Sequence, residues 1–463
     1  MTVQTEDHCC DIAIVGGGCS GALVAVQLMR HGFAGEIAII EVRERLGHGL
    51  AYSSSFDHHL LNVPAAKMSA LPDQPLHFLR WLRERHLPEC AAEAFVARRL
   101  YGEYIEDVLH QATGSHATAR VRHVRAEALD AAASERGLLL TLSDGSKLAA
   151  SAVVLALGNP ASGPFDRAAF ANLDRHWQIS PWQDDALRVR FADERILLVG
   201  TGLTAVDSAL ALHEGALPAK IYMVSRRGIL PQVHDLRRKA GPAPAFDEPQ
   251  NVRLMFQQLR AQIARLREED NCWRAAVDSL RPVSNDLWEA LPVGEQRRYL
   301  RHLKTYWETH RHRMAPEIRQ RMDDLRAEGG VEIIAGRIAG SDLKDDVLEV
   351  TISLRAGGTR VIEIDRAINC TGIFENYRKS PRPLIARLIA SGLASANELG
   401  LGFHTDHEGA MVNAQGEVSD RLFTLGPPRR GGLIETTAVP EIRAQAEALG
   451  KHLAMRAMRA AGN

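Results

Sequence analysis

Asp11-Ile12-Ala13-Ile14-Val15-Gly16-Gly17-Gly18-Cys19-Ser20-Gly21 is the stretch that decides the fold of this chain. The β-branched run over 11–15 predicts a strand buried on both faces in a parallel sheet. It passes directly into a Gly-x-Gly-x-x-Gly turn, and then Ala22, Leu23, Ala25, Val26, Leu28 and Met29 recur at helical spacing. A second apolar run, Ile37 to Ile40, ends in Glu41. The order strand, glycine turn, helix, strand, acid points to dinucleotide binding. Gly16 permits the tight turn, Gly18 lets the backbone approach a pyrophosphate, and Gly21 lets helix and strand pack closely. The helix start, with Ser20 in its first turn, offers N–H groups and a positive dipole end to the phosphates. Glu41 is placed to bind both ribose hydroxyls.

The pattern returns further along. Ile196 to Val199 predicts a strand, Gly200, Gly202 and Ala205 form the turn, and Lys220 to Val224 predicts the next strand, ending in Ser225-Arg226-Arg227. Ala is tolerated in place of the third glycine. After each unit comes a hairpin with a Gly-containing turn, at 143–146 and 355–358, and a buried strand that ends in Gly158 or Gly372. Two such units in one chain imply two dinucleotides whose rings must meet. The second is expected to prefer NADPH to NADH. A carboxylate at the strand end repels a 2′-phosphate, whereas a Ser hydroxyl and guanidinium groups donate to it. The chain has 48 Arg and only 8 Lys, so a single Arg carries little weight. It is the missing acid together with the basic pair that carries the expectation.

A chain of 463 residues predicts about three domains at roughly 150 residues each. The expected class is α/β: two Rossmann-like dinucleotide-binding domains, the second carrying a helical insertion. The boundaries are 1–190 for the first part of the first dinucleotide-binding domain, 191–235 and 329–372 for the second, 236–328 for the insertion, and 373–463 for the C-terminal part of the first. A net charge of −1 argues against nucleic acid or an anionic membrane surface as the main partner. No apolar run approaches the roughly 18 residues that a membrane span requires. The N-terminus, MTVQTEDHCC, lacks the order of a secretory signal. Six scattered cysteines do not make a disulfide framework. The expectation is a cytoplasmic protein acting on a small-molecule substrate, with no nucleic-acid or membrane partner; a homo-oligomer fits the same reading.

These residues resemble the two-dinucleotide-binding-domain flavoproteins, in which the first fold holds FAD and the second a nicotinamide cofactor. Leu157-Gly158 and Cys370-Thr371-Gly372 are similar to the short glycine motifs that mark crossings between those domains. Gly47-His48-Gly49-Leu50-Ala51-Tyr52, His59-Leu60-Leu61-Asn62-Val63-Pro64-Ala65 and the ending Glu435-Thr436-Thr437-Ala438-Val439-Pro440 resemble a bacterial FAD/NAD(P)-binding group. That resemblance also takes in amino-acid N-hydroxylating monooxygenases. It implies FAD and NADPH as cofactors, and hydroxylation of a small amine or amino acid through a flavin C4a-hydroperoxide. Electron transfer to a partner protein or quinone, and a redox-sensing module with little turnover, are the alternatives. A redox-active cysteine pair is missing, and Phe165 to Trp182 lacks the spacing of the Baeyer–Villiger segment. Both of those classes are disfavoured.

Three further regions carry expectations. The insertion shows helical patterns at Leu254, Leu259, Ile263 and Leu266, at Leu300, Leu303 and Trp307, and at Met314, Ile318, Met322 and Leu325. It suits a lid, a substrate wall or a dimer contact, with packing and oligomerisation foremost. Within it, His310 and His312 point to different faces of a helix, so no metal site is expected, while Arg311 and Arg313 suit an anion. The tail, Leu422 to Pro428 followed by Gly431-Gly432-Leu433, reads as strand, glycine loop, helix. The resemblance places Gly426 near the ribityl chain and Leu433 near the flavin ring. His59 and Asn62 are the candidate active-site residues, although a loop histidine is more often structural than catalytic.

Overall fold

β1 (His8–Val15), α1 (Cys19–Arg30) and β2 (Glu36–Ile40) form the opening βαβ unit of the computed structural model. The structure describes residues 8–115, 118–159, 178–182, 187, 193–214, 220–235, 244–268, 272–344, 347–372 and 376–461. After β2 the chain makes a helical excursion, with α2 (His77–Arg85) and α3 (Arg98–Ser115), before β3 (Arg120–Val124) returns parallel to β2. β4 (Ala128–Ser134), β5 (Gly137–Leu142) and β6 (Lys147–Leu155) form an antiparallel meander after it, and β6 runs on beside β1 as a parallel neighbour. Residues of β1 alternate between two cores. Ile12 and Ile14 pack among α1 and α3, while Ala13 and Val15 pack on the meander side with Leu140 and Phe403. This two-sided burial explains the unbroken apolar run.

The second half repeats the plan. β7 (Gln178–Ile179) joins the edge of its sheet, and β8 (Arg195–Val199), α4 (Leu203–His213) and β9 (Lys220–Ser225) form the βαβ unit. The excursion after β9 consists of α5 (Val252–Glu268), α6 (Trp273–Ser279), α7 (Ser284–Ala290), α8 (Val293–His302), α9 (Lys304–Arg311) and α10 (Pro316–Ala327). β10 (Val331–Lys344) then pairs parallel with β9 and antiparallel with β11 (Val347–Leu354), which pairs with β12 (Thr359–Ile364). β13 (Arg366–Asn369) returns beside β8. In the first half β6 spans hairpin and return in one strand. Here Asp365 divides them, its carboxylate accepting from the Arg195 backbone N–H at 2.7 Å and its own N–H donating to the Arg195 carbonyl at 2.8 Å.

The chain finally crosses back. α11 (Pro383–Ala390) covers the meander, β14 (Ala410–Val412) and β15 (Val418–Thr424) extend the first sheet past β6, and α12 (Val439–Ala461) packs on α1. The result is two parallel-rich sheets with helices about them, the strand order of the first being β14-β15-β6-β1-β2-β3. No helix among the described residues is long and apolar enough to cross a membrane.

The insertion turns away from its own sheet to dock on the first domain. Trp288 Nε1 donates to the Gly431 carbonyl at 2.9 Å, and the Asn285 side chain bonds the backbone of Ile434 and Glu435. Arg311 pairs with Glu435 at 3.0 Å and Arg281 with Glu441 at 2.8 Å. Arg313 is held by Asp278 at 2.7 Å. Both arginines of the 310–313 segment are thus engaged by the protein's own carboxylates, which corrects the expectation of an anion anchor there.

Candidate functional site

The two glycine turns are superposable in their physics. Gly16 has φ +103° and Gly200 φ +125°, and a Cβ on either would lie 2.4 Å from the Ala156 carbonyl oxygen or 2.2 Å from that of Cys370. The neighbouring strand end therefore demands a glycine at each position. Gly21 is tighter still, since a Cβ there would sit 1.9 Å from the Gly16 oxygen, whereas Ala205 at the matching place is fully buried with its methyl accommodated. α1 and α4 both begin on an extended glycine, Gly18 and Gly202, with no side-chain cap. The N–H groups of both first turns are left for a phosphate. This chemistry fits a dinucleotide at each turn.

Around the first turn the predicted residues converge. The Glu41 carboxylate, 8% exposed, accepts the Gly17 N–H at 3.1 Å and that of Arg43 at 3.1 Å. The Gly47 N–H donates to the Gly17 carbonyl at 2.8 Å, bringing the loop from 47 onward over the turn. Gly426 reaches α1 from the far end of the chain: a Cβ on it would lie 3.4 Å from Ser20 Oγ, and Thr436 Oγ1 donates to its carbonyl at 2.9 Å. A Cβ on Gly158, which has φ +60°, would meet nothing within 4 Å among the described residues, and the same holds for Gly372 at the second turn. Cys19 is buried with its thiol pushed up to about 12 by desolvation, and no disulfide is formed among the described residues. Burial of this kind suits a thiol that packs in the core beside α1.

At the second turn, Ser225 Oγ is hydrogen-bonded to Thr201 Oγ1 at 2.9 Å and accepts the Gly228 N–H at 3.0 Å. Arg226 is exposed. Arg227 donates to Thr305 Oγ1 at 3.1 Å and lies over the Tyr306 ring at 4.8 Å. The Tyr306 hydroxyl is lowered from its ordinary range chiefly by its bond from Arg227, with Arg355 adding to it. Thr305, Tyr306 and Arg355 were invisible as a group in the sequence, because they come from the insertion and a distant hairpin.

The structure places His59 and Asn62 where the two halves join. His59 Nε2 faces the Asp207 carbonyl at 3.1 Å and must carry the proton, so Nδ1 accepts from Ser54 Oγ at 2.6 Å. Beside it Arg98 pairs with Asp207 at 2.7 Å, and His58 bonds Glu214. Burial raises the Asp207 carboxyl, and Arg98 works against that rise. The Asn62 carbonyl accepts from His234 Nε2 at 3.0 Å; burial holds that imidazole down at about 4. These contacts orient the loop against α4 and the segment after β9. A small cavity lined by His59, Ser53, Ser54, Arg98 and Thr204 lies at this junction.

A larger cavity lies between the insertion and the C-terminal loop. Trp288, Tyr299 and Trp307 line it from the insertion, and Gly431, Leu433 and Thr437 from the loop. Leu433 is the predicted ring-side residue. The aromatic and charged lining contributed by the insertion carried no sequence motif.

The two parallel-rich sheets, each with its own glycine turn, give the chain the fold of a two-dinucleotide-binding-domain protein. Residues 13–160 match a protein family described as FAD-NAD(P)-binding, so the chain carries an FAD-NAD(P)-binding domain. No curated protein matches the sequence. Among solved structures it is similar to an L-lysine 6-monooxygenase from Pseudomonas syringae, at TM-score 0.63 and 17% identity over 97% of this chain and 99% of that one. It is also similar to an FAD-bound cadaverine monooxygenase from Erwinia amylovora, at 0.66 and 11% over 96% and 95%. A thioredoxin reductase from T. acidophilum gives 0.54 and 10% over 98% and 100%. At such identities the likeness is one of fold.

Proposed function

We propose that the protein is an FAD-dependent, NADPH-using monooxygenase that hydroxylates a small nucleophilic substrate, an amine or amino acid in class. The observation that carries this reading is the larger cavity, walled by insertion aromatics on one side and by the C-terminal loop of the first domain on the other. A chamber of this kind holds a small molecule and keeps water from the reacting centre. Gly16, Gly18, Ser20, Gly21 and Glu41 would hold the FAD phosphates and adenosine ribose, with Gly158, Gly426 and Leu433 along its remaining length. Gly200, Gly202, Ala205, Ser225, Arg226, Arg227 and Gly372 would hold NADPH. Bound FAD together with NADPH would supply the oxygen activation that no side chain provides. For an amine, one O2, one NADPH and one proton yield the hydroxylamine, NADP+ and water. His59 and Asn62 act by setting the loop over the junction.

The monooxygenases among the structural neighbours support this reading. The buried thiols disfavour disulfide chemistry. The test starts from the purified protein incubated with FAD, whose visible bands should remain after desalting. Rapid mixing of the reduced protein with oxygen should then give a transient near-ultraviolet absorbance before the oxidised bands return. Immediate return of those bands, with electrons passed to a quinone, would replace this reading with that of a reductase.

A further inference from the structure

Three segments far apart in the chain meet at the corner of the second sheet where β9 ends. Ser225 at the end of β9 pairs with Ala335 of β10, and the Arg355 N–H donates to the Ala335 carbonyl at 2.9 Å. Ser225, Ala335 and Arg355 therefore stand in one row across the sheet, the outer two about 10 Å apart. α9 of the insertion supplies the third segment. Thr305 Oγ1 accepts from Arg227 at 3.1 Å, and the Arg227 guanidinium lies 4.8 Å from the centre of the Tyr306 ring. Tyr306 is 37% exposed, and its hydroxyl accepts from both Arg227 and Arg355.

Two guanidinium groups thus meet at one neutral oxygen. Among the described residues neither Arg227 nor Arg355 forms an ion pair with a carboxylate, and Arg226 beside them is exposed. A phenol oxygen offers lone pairs to two donors but no charge to set against theirs. Like charges held together repel. The first half differs at the matching place, where the Glu41 carboxylate closes the corner. An anion with several acceptor oxygens would complete the second corner. A phosphomonoester carries a charge of about −1.5 to −2 near neutral pH and three acceptor oxygens. It can take forked bonds from both guanidinium groups.

We infer that Arg355 and Tyr306 are specificity-determining residues for the nicotinamide cofactor: the 2′-phosphate of NADPH lies between the guanidinium groups of Arg227 and Arg355, and the Tyr306 hydroxyl, released from them, donates to a phosphate oxygen. This deepens the reading proposed above and rests on the second glycine turn holding NADPH. NADH places a neutral hydroxyl at this corner and brings the two arginines no charge. The insertion then takes part in cofactor recognition as well as walling the larger cavity, since Trp307, next to Tyr306, lines that chamber.

Calorimetric titration of the FAD-loaded protein with adenosine 2′,5′-bisphosphate and with adenosine 5′-monophosphate tests the assignment, since the two probes differ only in the 2′-phosphate. The unaltered protein should bind the bisphosphate more tightly by about tenfold or more, the worth of a charge-assisted bond. Arg355→Met should remove most of that preference, and Tyr306→Phe should lower it about fivefold. Neither should change the affinity for the monophosphate, a split that a purely structural role would not produce. Arg136→Met, on an exposed hairpin of the first half, should change neither affinity. If Arg355→Met fails to fold, Tyr306→Phe decides. A preference left unchanged by either variant overturns the inference and leaves the NADPH reading standing on Arg226 and Arg227. Equal weakening of both probes in either variant, or a comparable loss in Arg136→Met, overturns it too. No preference in the unaltered protein overturns the inference together with the NADPH reading.

Discussion

The two halves of this chain are built alike as far as the end of their second strand, and beyond that strand they part. In the first half β2 ends in Glu41, whose carboxylate turns back on the glycine turn. The helical excursion there packs mainly on its own sheet, with Tyr101, Tyr104 and Phe78 of α2 and α3 in one core with α1, and it reaches the other half through Arg98 at the start of α3. In the second half β9 ends in Ser225-Arg226-Arg227, and the excursion leaves its own sheet to dock on the C-terminal loop of the other domain. One backbone unit thus suits two ligands. Under the function proposed, the strand end would set which ribose each recognises, and the excursion in the same topological slot packs mainly on its own sheet in one half and becomes a cavity wall in the other.

The sharpest way to break this comparison is at the third glycine. Gly21→Ala puts a methyl 1.9 Å from a backbone oxygen, so the protein should be recovered colourless or insoluble after FAD incubation. A variant that keeps full flavin absorbance and an unchanged circular dichroism spectrum would show that the first turn is as loose as the second. Next comes the junction. Arg98→Ala leaves the buried Asp207 carboxylate uncompensated and should cost about 3–5 kcal/mol in denaturant unfolding. A loss below about 1 kcal/mol would mean that the halves are not coupled there.

The strand ends come third. Arg226→Ala and Arg227→Ala should each raise the KM for NADPH by roughly tenfold to over a hundredfold, the equivalent of about 1.5–3 kcal/mol, and leave NADH nearly unchanged. Equal weakening of both cofactors would remove the assigned contrast with Glu41. The fourth effect is one of pH. Burial holds His234 at about 4, below its ordinary value of 6.5, so the folded state binds fewer protons than the unfolded chain in between. Its contribution to stability is present above about pH 6.5 and is lost as pH falls through about 4. His234→Gln should flatten the fall in thermal midpoint across that window, and a slope identical to that of the unaltered protein would assign the pH dependence to other groups. The smallest effect belongs to Ala205→Gly, about 1 kcal/mol or less from helix propensity. Ala205 is a fully buried member of the second half's core, so a loss above about 2 kcal/mol would mean that α4 shifts once the methyl is gone.

The features legible in the sequence alone are local and repetitive. A parallel strand buried on two faces needs a continuous apolar run, and a backbone that must pass within contact distance of a strand end needs a glycine. Both turns and the acid at 41 were therefore readable residue by residue. The hairpins at 143–146 and 355–358 were readable for the same reason, since turn chemistry depends on a few adjacent residues. Everything that depends on which distant segments meet was left to the tertiary fold. His59 and Asn62 stood out as candidate groups beside a flavin, and only folding showed them bonded to Asp207 and His234 across the junction. Arg311 and Arg313 read as an anion site until Glu435 and Asp278 came to them from elsewhere in the chain. The wall of Trp288, Tyr299 and Trp307 around the larger cavity carried no motif, because its meeting with Leu433 arises from long-range packing, which no periodicity along the chain encodes.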